Sequence, residues 1–393
     1  MFLSRRNVVV LVVTALTMVL ASASNAEAYV YWGNGDRPGL IGRANLDGSA
    51  PDASFITGLD LVYGLAVDGA HVYWDQNVSG TAVIGRANLD GSAPNLSFIT
   101  AGAPYVNGVA VDGAHIYWDN RNAGSIGRAN LDGSAPNPSF ITGLGTSLVD
   151  VAVDGAHIYW GNASPGVNQG TGTIGRANLD GSAVIKGFIA ATVPSESAVS
   201  NSYGPWGLDV DGAHIYWTNG DGGYIHGLTT KYRIGRADLD GSATNLSFIA
   251  DAGANRPQGV AVDGAHVYWA TGSGTIARAD LDGGATNLSF IASGRAEALA
   301  VDALAPSSPP KIVKLKPTSA KRGVLVTISG LNFGAARGAS AVKFGSKACT
   351  KYLFWSTTQI KCKVPATAKY GTVKVTVSTT VGKSNGKSFK VKR

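Results

Sequence analysis

One repeated phrase constrains this chain more than any other feature. The pair Tyr-Trp begins at Tyr31, Tyr73, Tyr117, Tyr159, Tyr216 and Tyr268, and a segment like IGRANLDGSA follows each time. The LDG aspartates Asp47, Asp90, Asp132, Asp180, Asp240 and Asp282 are spaced by 43, 42, 48, 60 and 42 residues. An apolar stretch like SFIT comes next, then GVAVD. Self-similarity at such a period means repeated copies of one supersecondary unit, each needing its neighbours to bury a core.

Each unit holds four short β-rich runs, lettered A (GVAVD), B (HIYW), C (IGRANL) and D (LSFIT). Asp-Gly joins A to B and recurs between C and D. That dipeptide favours two-residue hairpin turns, because both central positions need positive φ. Four antiparallel strands in a unit of this length predict a β-propeller blade. The ends of the array agree. The first unit lacks an A run, and a lone A run, ALAVD, stands at 298–302. Joining it to B, C and D of residues 29–57 completes a sixth blade and pairs two open edges. The expected fold is all-β: a six-bladed β-propeller over 29–304, then a C-terminal Ig-like β-sandwich.

The YW strand, IGRANLDGS and GVAVD together resemble the YWTD repeats of the low-density lipoprotein receptor propeller, over residues 29–302. The tetrapeptides here are YWGN, YWDQ, YWDN, YWGN, YWTN and YWAT, so none carries aspartate in the fourth position. Whatever bonding that aspartate supplies in the family must be met otherwise, with Asn34, Asn120, Asn162 and Asn219 as candidates. The resemblance implies the fold. It does not name a ligand, because one scaffold serves many functions.

Residues 1–28 read as a signal peptide. Arg5 and Arg6 form its basic start, and Val8 to Leu20 is a 13-residue apolar run, short for a membrane span. AEA at 26–28 and ASA at 21–23 both suit cleavage, and SRRNVVV resembles a twin-arginine export signal. The mature chain is expected to be secreted or associated with the cell envelope, without a membrane span.

APSSPP at 305–310 reads as a linker. Beyond it, VLVTISG, AVKFGS and GTVKVTVST alternate like the strands of a small sandwich over 311–393. The phrases KLKPTSAKRGVLVTISGLNFG, VKFGSKAC, STTQIKCKVP and YGTVKVTVSTTVGKS resemble an IPT/TIG domain, an immunoglobulin-like module. The chain's two cysteines, Cys349 and Cys362, fall where some members of that family carry a disulfide. An even, closely spaced pair in an exported chain carries the same expectation.

The net charge of +7 conceals a split. From Pro309 onward there are 18 Lys plus Arg and no Asp or Glu, while the rest has 15 basic residues against 26 acidic ones. Such asymmetry predicts different electrostatic partners for the two parts. An anionic cell-envelope polymer or lipid headgroup would suit the basic domain, with an attraction that salt screens. No nucleic-acid partner is expected of an exported protein. Alternatively, the lysines only keep the domain soluble and blunt its sheet edges.

His71, His115, His157, His214 and His266 occupy one repeat position, two residues before Tyr. One copy per blade cannot form a reactive cluster, so each is expected to bond locally. Function is sought where the repeats differ. The extra residues 161–173, 184–206 and 218–233 all fall in B–C or D–A links, at one end of the ring. The last of these holds Tyr224, His226 and Tyr232. The residue before each A run also varies: Tyr63, Asn107, Val149, Trp206, Gln258 and Glu297. Strand A is innermost in a blade, so these positions are expected around the channel mouth at that same end. Tyr63, Asn107, Trp206, Gln258, Glu297, Tyr224, His226 and Tyr232 are therefore the candidate ligand-binding residues. They suit a protein, peptide or glycan ligand. The alternatives are tolerated insertions and plain channel packing.

The sequence has no Gly-x-Ser-x-Gly elbow and no His-Glu-x-x-His helix, and GDGG at 220–223 is too short for a calcium loop. No catalytic residue, metal or cofactor is assigned. The rival to a non-enzymatic binding protein is a propeller-type lyase or lactone hydrolase acting through His226 and Glu297.

Overall fold

A computed structural model describes residues 28–302 and 310–393, except 79, 103–104, 164–171, 192–200, 223–231, 254, 332, 335–339, 356–358 and 380–381. The expected signal segment, apart from Ala28, and most of the linker lie outside the described residues. Every regular element described is a β-strand.

Residues 29–301 form six antiparallel sheets, each in the order A, B, C, D. The first blade takes strands B to D from Tyr29–Asn34, Gly39–Asn45 and Asp52–Leu59, and strand A from Ala296–Val301 at the far end of the array. Val30 pairs with Val301 and Trp32 with Leu299. The inner strands Leu65–Val67, Val109–Val111, Leu148–Val153, Leu208–Val210, Val260–Val262 and Ala296–Val301 neighbour one another in that order, and the last lies against the first. The ring is closed, and its seam is the strand exchange that the end fragments predict.

The Tyr-Trp pair explains why the blades stack. Successive side chains on a strand point to opposite faces. Tyr73 therefore packs into the core shared with the third blade, beside Trp118, while Trp74 packs into the core shared with the first, beside Tyr31. The pattern continues to Tyr268 and Trp32 across the seam. All twelve rings are fully buried. Losing one to alanine would cost roughly 3–5 kcal/mol.

The glycine of IGR sits under the tryptophan of its own blade. A Cβ at Gly85 or Gly127 would strike the Trp74 or Trp118 indole. The glycine that opens strand A has another reason. A Cβ on Gly64 would lie 2.8 Å from the Asn107 carbonyl oxygen, because neighbouring inner strands approach backbone to backbone.

The repeated arginines tie blade to blade. Nη1 of Arg43, Arg86, Arg128, Arg176, Arg236 and Arg278 donates to the LDG leucine carbonyl of the next blade, at 2.9 to 3.4 Å. Each guanidinium also lies 3.8 to 4.1 Å from the ring centre of the SFIT phenylalanine in its own blade.

The C-terminal residues form a two-sheet sandwich. One sheet runs Lys311–Lys316, Leu325–Leu331, Gln359–Lys363, Tyr352–Trp355. The other is built on Lys387–Lys392, Gly371–Thr379 and Ala341–Phe344. Ile328, Phe333, Val342, Ile360, Val375 and Phe389 fill the space between.

The expected disulfide is not formed here. Cys349 and Cys362 are both buried in this core as thiols. Cys349 Sγ donates to the Lys363 carbonyl at 3.2 Å. The hydrogen bond with Cys349 and burial push the Cys362 thiol well above the usual range. Both sulfurs are thus accommodated as hydrogen-bonded thiols.

Candidate functional site

The histidines belong to the scaffold. Oδ1 of Asp68 accepts from the N–H groups of Ala70 and His71 at 2.7 Å, which closes the A–B turn. Its Oδ2 accepts from the buried Tyr73 hydroxyl at 3.0 Å. Asp112, Asp154, Asp211 and Asp263 repeat this arrangement. The five histidines stand over it, each with Nδ1 3.4 to 3.7 Å from its aspartate. Each copy serves its own blade.

The axial channel is different in kind. It is a cavity of about 800 Å³ walled by the inner strands. Tyr63, Asn107, Val149, Trp206, Gln258 and Glu297 all line it. The structure therefore brings together the six variable positions that precede strand A. Tyr63 is 41% exposed, whereas Val149 and Glu297 are buried. Tyr105, 58% exposed, joins them from the neighbouring link.

The three insertion residues fare otherwise. Tyr224 and His226 lie outside the described residues, and with them the proposed pairing of His226 with Glu297. Tyr232 stands at the edge of the insertion. It pairs with Gly220 at the start of strand C, and its half-buried ring packs on the core between the fifth and sixth blades. Part of the insertion wall is visible: Asn201–Tyr203 adds a fifth strand to the fifth blade, Asn201 pairing with Gly222. Two insertions are thereby joined at the mouth end.

The sequence reading missed four arginines. Arg37, Arg121, Arg256 and Arg295 line the same mouth. Arg37 Nε donates to Asp60 at 2.7 Å, and Arg295 Nε to Glu297 at 2.9 Å. Arg256 stacks 4.0 Å from the ring centre of Trp206. The Asn107 amide, oriented to donate to the Val106 carbonyl, accepts from Arg121 Nη1 at 3.0 Å. A signal did exist. The propeller arginines outside the IGR or IAR motif are Arg37, Arg121, Arg233, Arg256 and Arg295, and all fall in or beside B–C or D–A links.

Below the mouth the wall turns acidic. Asp75 Oδ1 accepts from the N–H groups of Tyr63 and Gly64, at 2.8 and 2.6 Å. Asp119 does the same for Asn107 and Gly108. The fourth and fifth blades lack aspartate after Tyr-Trp; in the fifth, Thr218 Oγ1 accepts from Gly207 N at 2.8 Å in its place, and both blades carry an aspartate on strand A. Asp150 Oδ2 accepts from Leu208 N and Asp209 Oδ2 from Val262 N, each bridging to the next blade. Burial pushes Asp75 up to about 8 and Asp119 up to about 6, against the pull of those backbone donors. Asp209 is pushed up to about 7 for the same reason. Burial also raises Glu297, and the Arg295 guanidinium opposes it. The fourth-position asparagines act elsewhere: the amides of Asn120, Asn162 and Asn219 donate to the carbonyls of Pro138, Leu144 and Ala191. Asn34 instead accepts from Asp36 N.

Among the described residues no group of three or more His, Cys, Asp or Glu could hold a metal ion. No described helix is long and apolar enough to cross a membrane.

Comparison with known proteins resolves one part of the chain. Residues 310–391 match the model of the IPT/TIG domain. The C-terminal sandwich is an IPT/TIG domain. A chain from the crystal structure of the nidogen/laminin complex is similar to the propeller part, with 18% identity and a TM-score of 0.51. The similarity covers 70% of this chain and 97% of that one. At that identity it shows the propeller fold. A structure assigned as TolB from Agrobacterium tumefaciens is more distant, at 18% identity and a TM-score of 0.39 over 55% of this chain and 79% of that one. No curated protein matches the chain.

Proposed function

We propose that this is an exported, non-enzymatic interaction protein whose propeller grips a partner at the arginine-bearing channel mouth. One observation carries the reading. Blades that share nearly identical scaffolds place their variable residues at a single end, around a concavity. Four arginines and the aromatic rings of Tyr63, Tyr105 and Trp206 line that end. Arginine and aromatic side chains are the groups that dominate binding energy at protein interfaces. Stacking on Trp206 pre-orders Arg256, which lowers the entropy cost of engaging a carboxylate. The ligand that fits is an exposed acidic segment of a protein or peptide, and an acidic glycan is the second arm of the test. The nidogen/laminin structure is of a complex, which agrees with a propeller of this kind meeting a protein partner. The acid-free IPT/TIG domain would then hold the assembly near an anionic envelope polymer. Glu297 is engaged by Arg295, so the observations favour binding over a lyase or hydrolase site.

The test is capture from cell-envelope extracts by the full mature chain, at about 0.3 M salt so that exposed charge pairs are screened. A specific partner should be retained, and Trp206→Ala and Arg256→Gln should each weaken it about tenfold or more. Equal capture by these variants, or no partner at that salt, would reject the mouth as the binding site.

A further inference from the structure

The propeller's two ends differ in their balance of charge. The A–B and C–D turns share one end, opposite the mouth. Those turns carry the six LDG aspartates together with Asp68, Asp112, Asp154, Asp211, Asp263 and Asp302, twelve carboxylates in two concentric rings. The arginine ion pairs found among the described residues lie at the mouth: Arg37 with Asp60, and Arg295 with Asp36 and Glu297. At the aspartate end the carboxylates accept from backbone N–H groups and hydroxyls, and they face histidines. The six repeated arginines donate to the LDG leucine carbonyls at this end and offset part of its charge, leaving twelve carboxylates against six guanidiniums.

The chain leaves the propeller at this same end. Asp302 N donates to Tyr29 O, and the IPT/TIG domain begins at 310. Eight extended peptide steps reach at most about 28 Å. The basic domain is therefore confined near the aspartate rings at an effective concentration on the order of millimolar. That domain has 18 Lys plus Arg and no acid.

One contact already joins the two. Gly155, in the A–B turn of the fourth blade, faces the strand Tyr352–Trp355. A Cβ there would lie 3.1 Å from Trp355 N and 3.6 Å from Phe354 Cα. Phe354 is 9% exposed yet absent from the sandwich core. Ala156 is half-buried where its counterparts Ala70, Ala114, Ala213 and Ala265 are exposed.

We propose that the IPT/TIG domain seats on the aspartate-bearing end of its own propeller, with Phe354 as the apolar anchor at the Gly155 turn and lysine–aspartate attraction holding the rest. The arginine mouth stays open at the far end. High salt releases the domain. This latch is independent of what the mouth binds.

Small-angle scattering on the full mature chain tests it, at about 0.05 M and about 0.5 M salt, where the screening lengths differ roughly threefold. The wild type should be compact at low salt, and its radius of gyration should rise by several ångströms at high salt. Gly155→Gln and Phe354→Ala should produce the same rise at low salt. The pair Asp132→Asn with Asp180→Asn leaves the turns folded, because an amide oxygen also accepts from the serine N–H, and it should shift the release to lower salt. An unchanged radius across salt and all of these variants would overturn the latch. So would an extended wild type at low salt, or compaction that appears only as protein concentration rises, which would make the partner a second copy.

Discussion

Arg278 Nη1 in the last blade donates to the Leu46 carbonyl in the first, 3.2 Å away and 232 residues distant in sequence. It is one of six equivalent bonds, and it crosses the seam where the ring closes. Arg278→Ala removes a charged hydrogen bond and a stack on Phe290, and should cost about 2 kcal/mol. Calorimetry should show a drop of several degrees in Tm. Arg37→Ala, which breaks an exposed pair, is the control with a smaller effect. Equal losses from the two would mean that the seam is not specially held.

Stability should fall as pH rises from about 4 to about 8. Asp75 holds its proton to about 8 in the fold and Asp119 to about 6, whereas an unfolded aspartate ionises near 3.9. The native state therefore binds protons that the unfolded chain gives up across this window, which favours folding at the acid end. The exposed aspartates Asp47, Asp90, Asp132, Asp180 and Asp240 are lowered by serine hydroxyl and backbone donors. They act only below about 4. Melting temperature measured against pH should peak near 4, and Asp75→Asn should flatten the decline. A Tm that is flat or rising from 5 to 8 would show those carboxylates to be ionised in the fold.

Gly127→Ala should be destabilising by about 1–3 kcal/mol, the range for overpacking, because the new Cβ meets the Trp118 indole. The sixth blade supplies an internal comparison, since Ala277 stands beside Trp269 at that position. There a methyl group and a fully buried indole already coexist, so Ala277→Gly should leave a small void and cost less. Urea unfolding of both variants distinguishes the cases, and a neutral Gly127→Ala would mean that the other five indoles have the same freedom.

The repeat made the fold legible. A period of two placed Tyr and Trp on opposite faces, and the end fragments gave the seam. The variable residues before strand A were found on the channel because their place in the repeat fixes their place in space. The mouth arginines were not singled out, because a lone arginine in a link has no pattern of its own. Only subtraction of the six repeated arginines exposes them. Spacing alone also did not reveal that Tyr232, at the edge of an insertion, pairs with Gly220 and packs its ring on the core between the fifth and sixth blades. The channel aspartates were hidden because Asp75 and Asp119 follow Tyr-Trp and bond within their own blades, whereas Asp150 and Asp209 sit on strand A and bridge to the next blade.

The IPT/TIG cysteines give the last prediction. Cys349 and Cys362 are buried as thiols, and the hydrogen bond between them, with burial, holds Cys362 protonated. Thiolate is the reactive form, so neither should react with iodoacetamide in the native protein near neutral pH. Unfolding without reductant should then release two alkylatable thiols, read by intact mass. Exported protein that stays unlabelled after unfolding, and gains two labels only with reductant, would carry the disulfide instead. It would then be more stable than its reduced form by roughly 3 kcal/mol on the loop-entropy estimate.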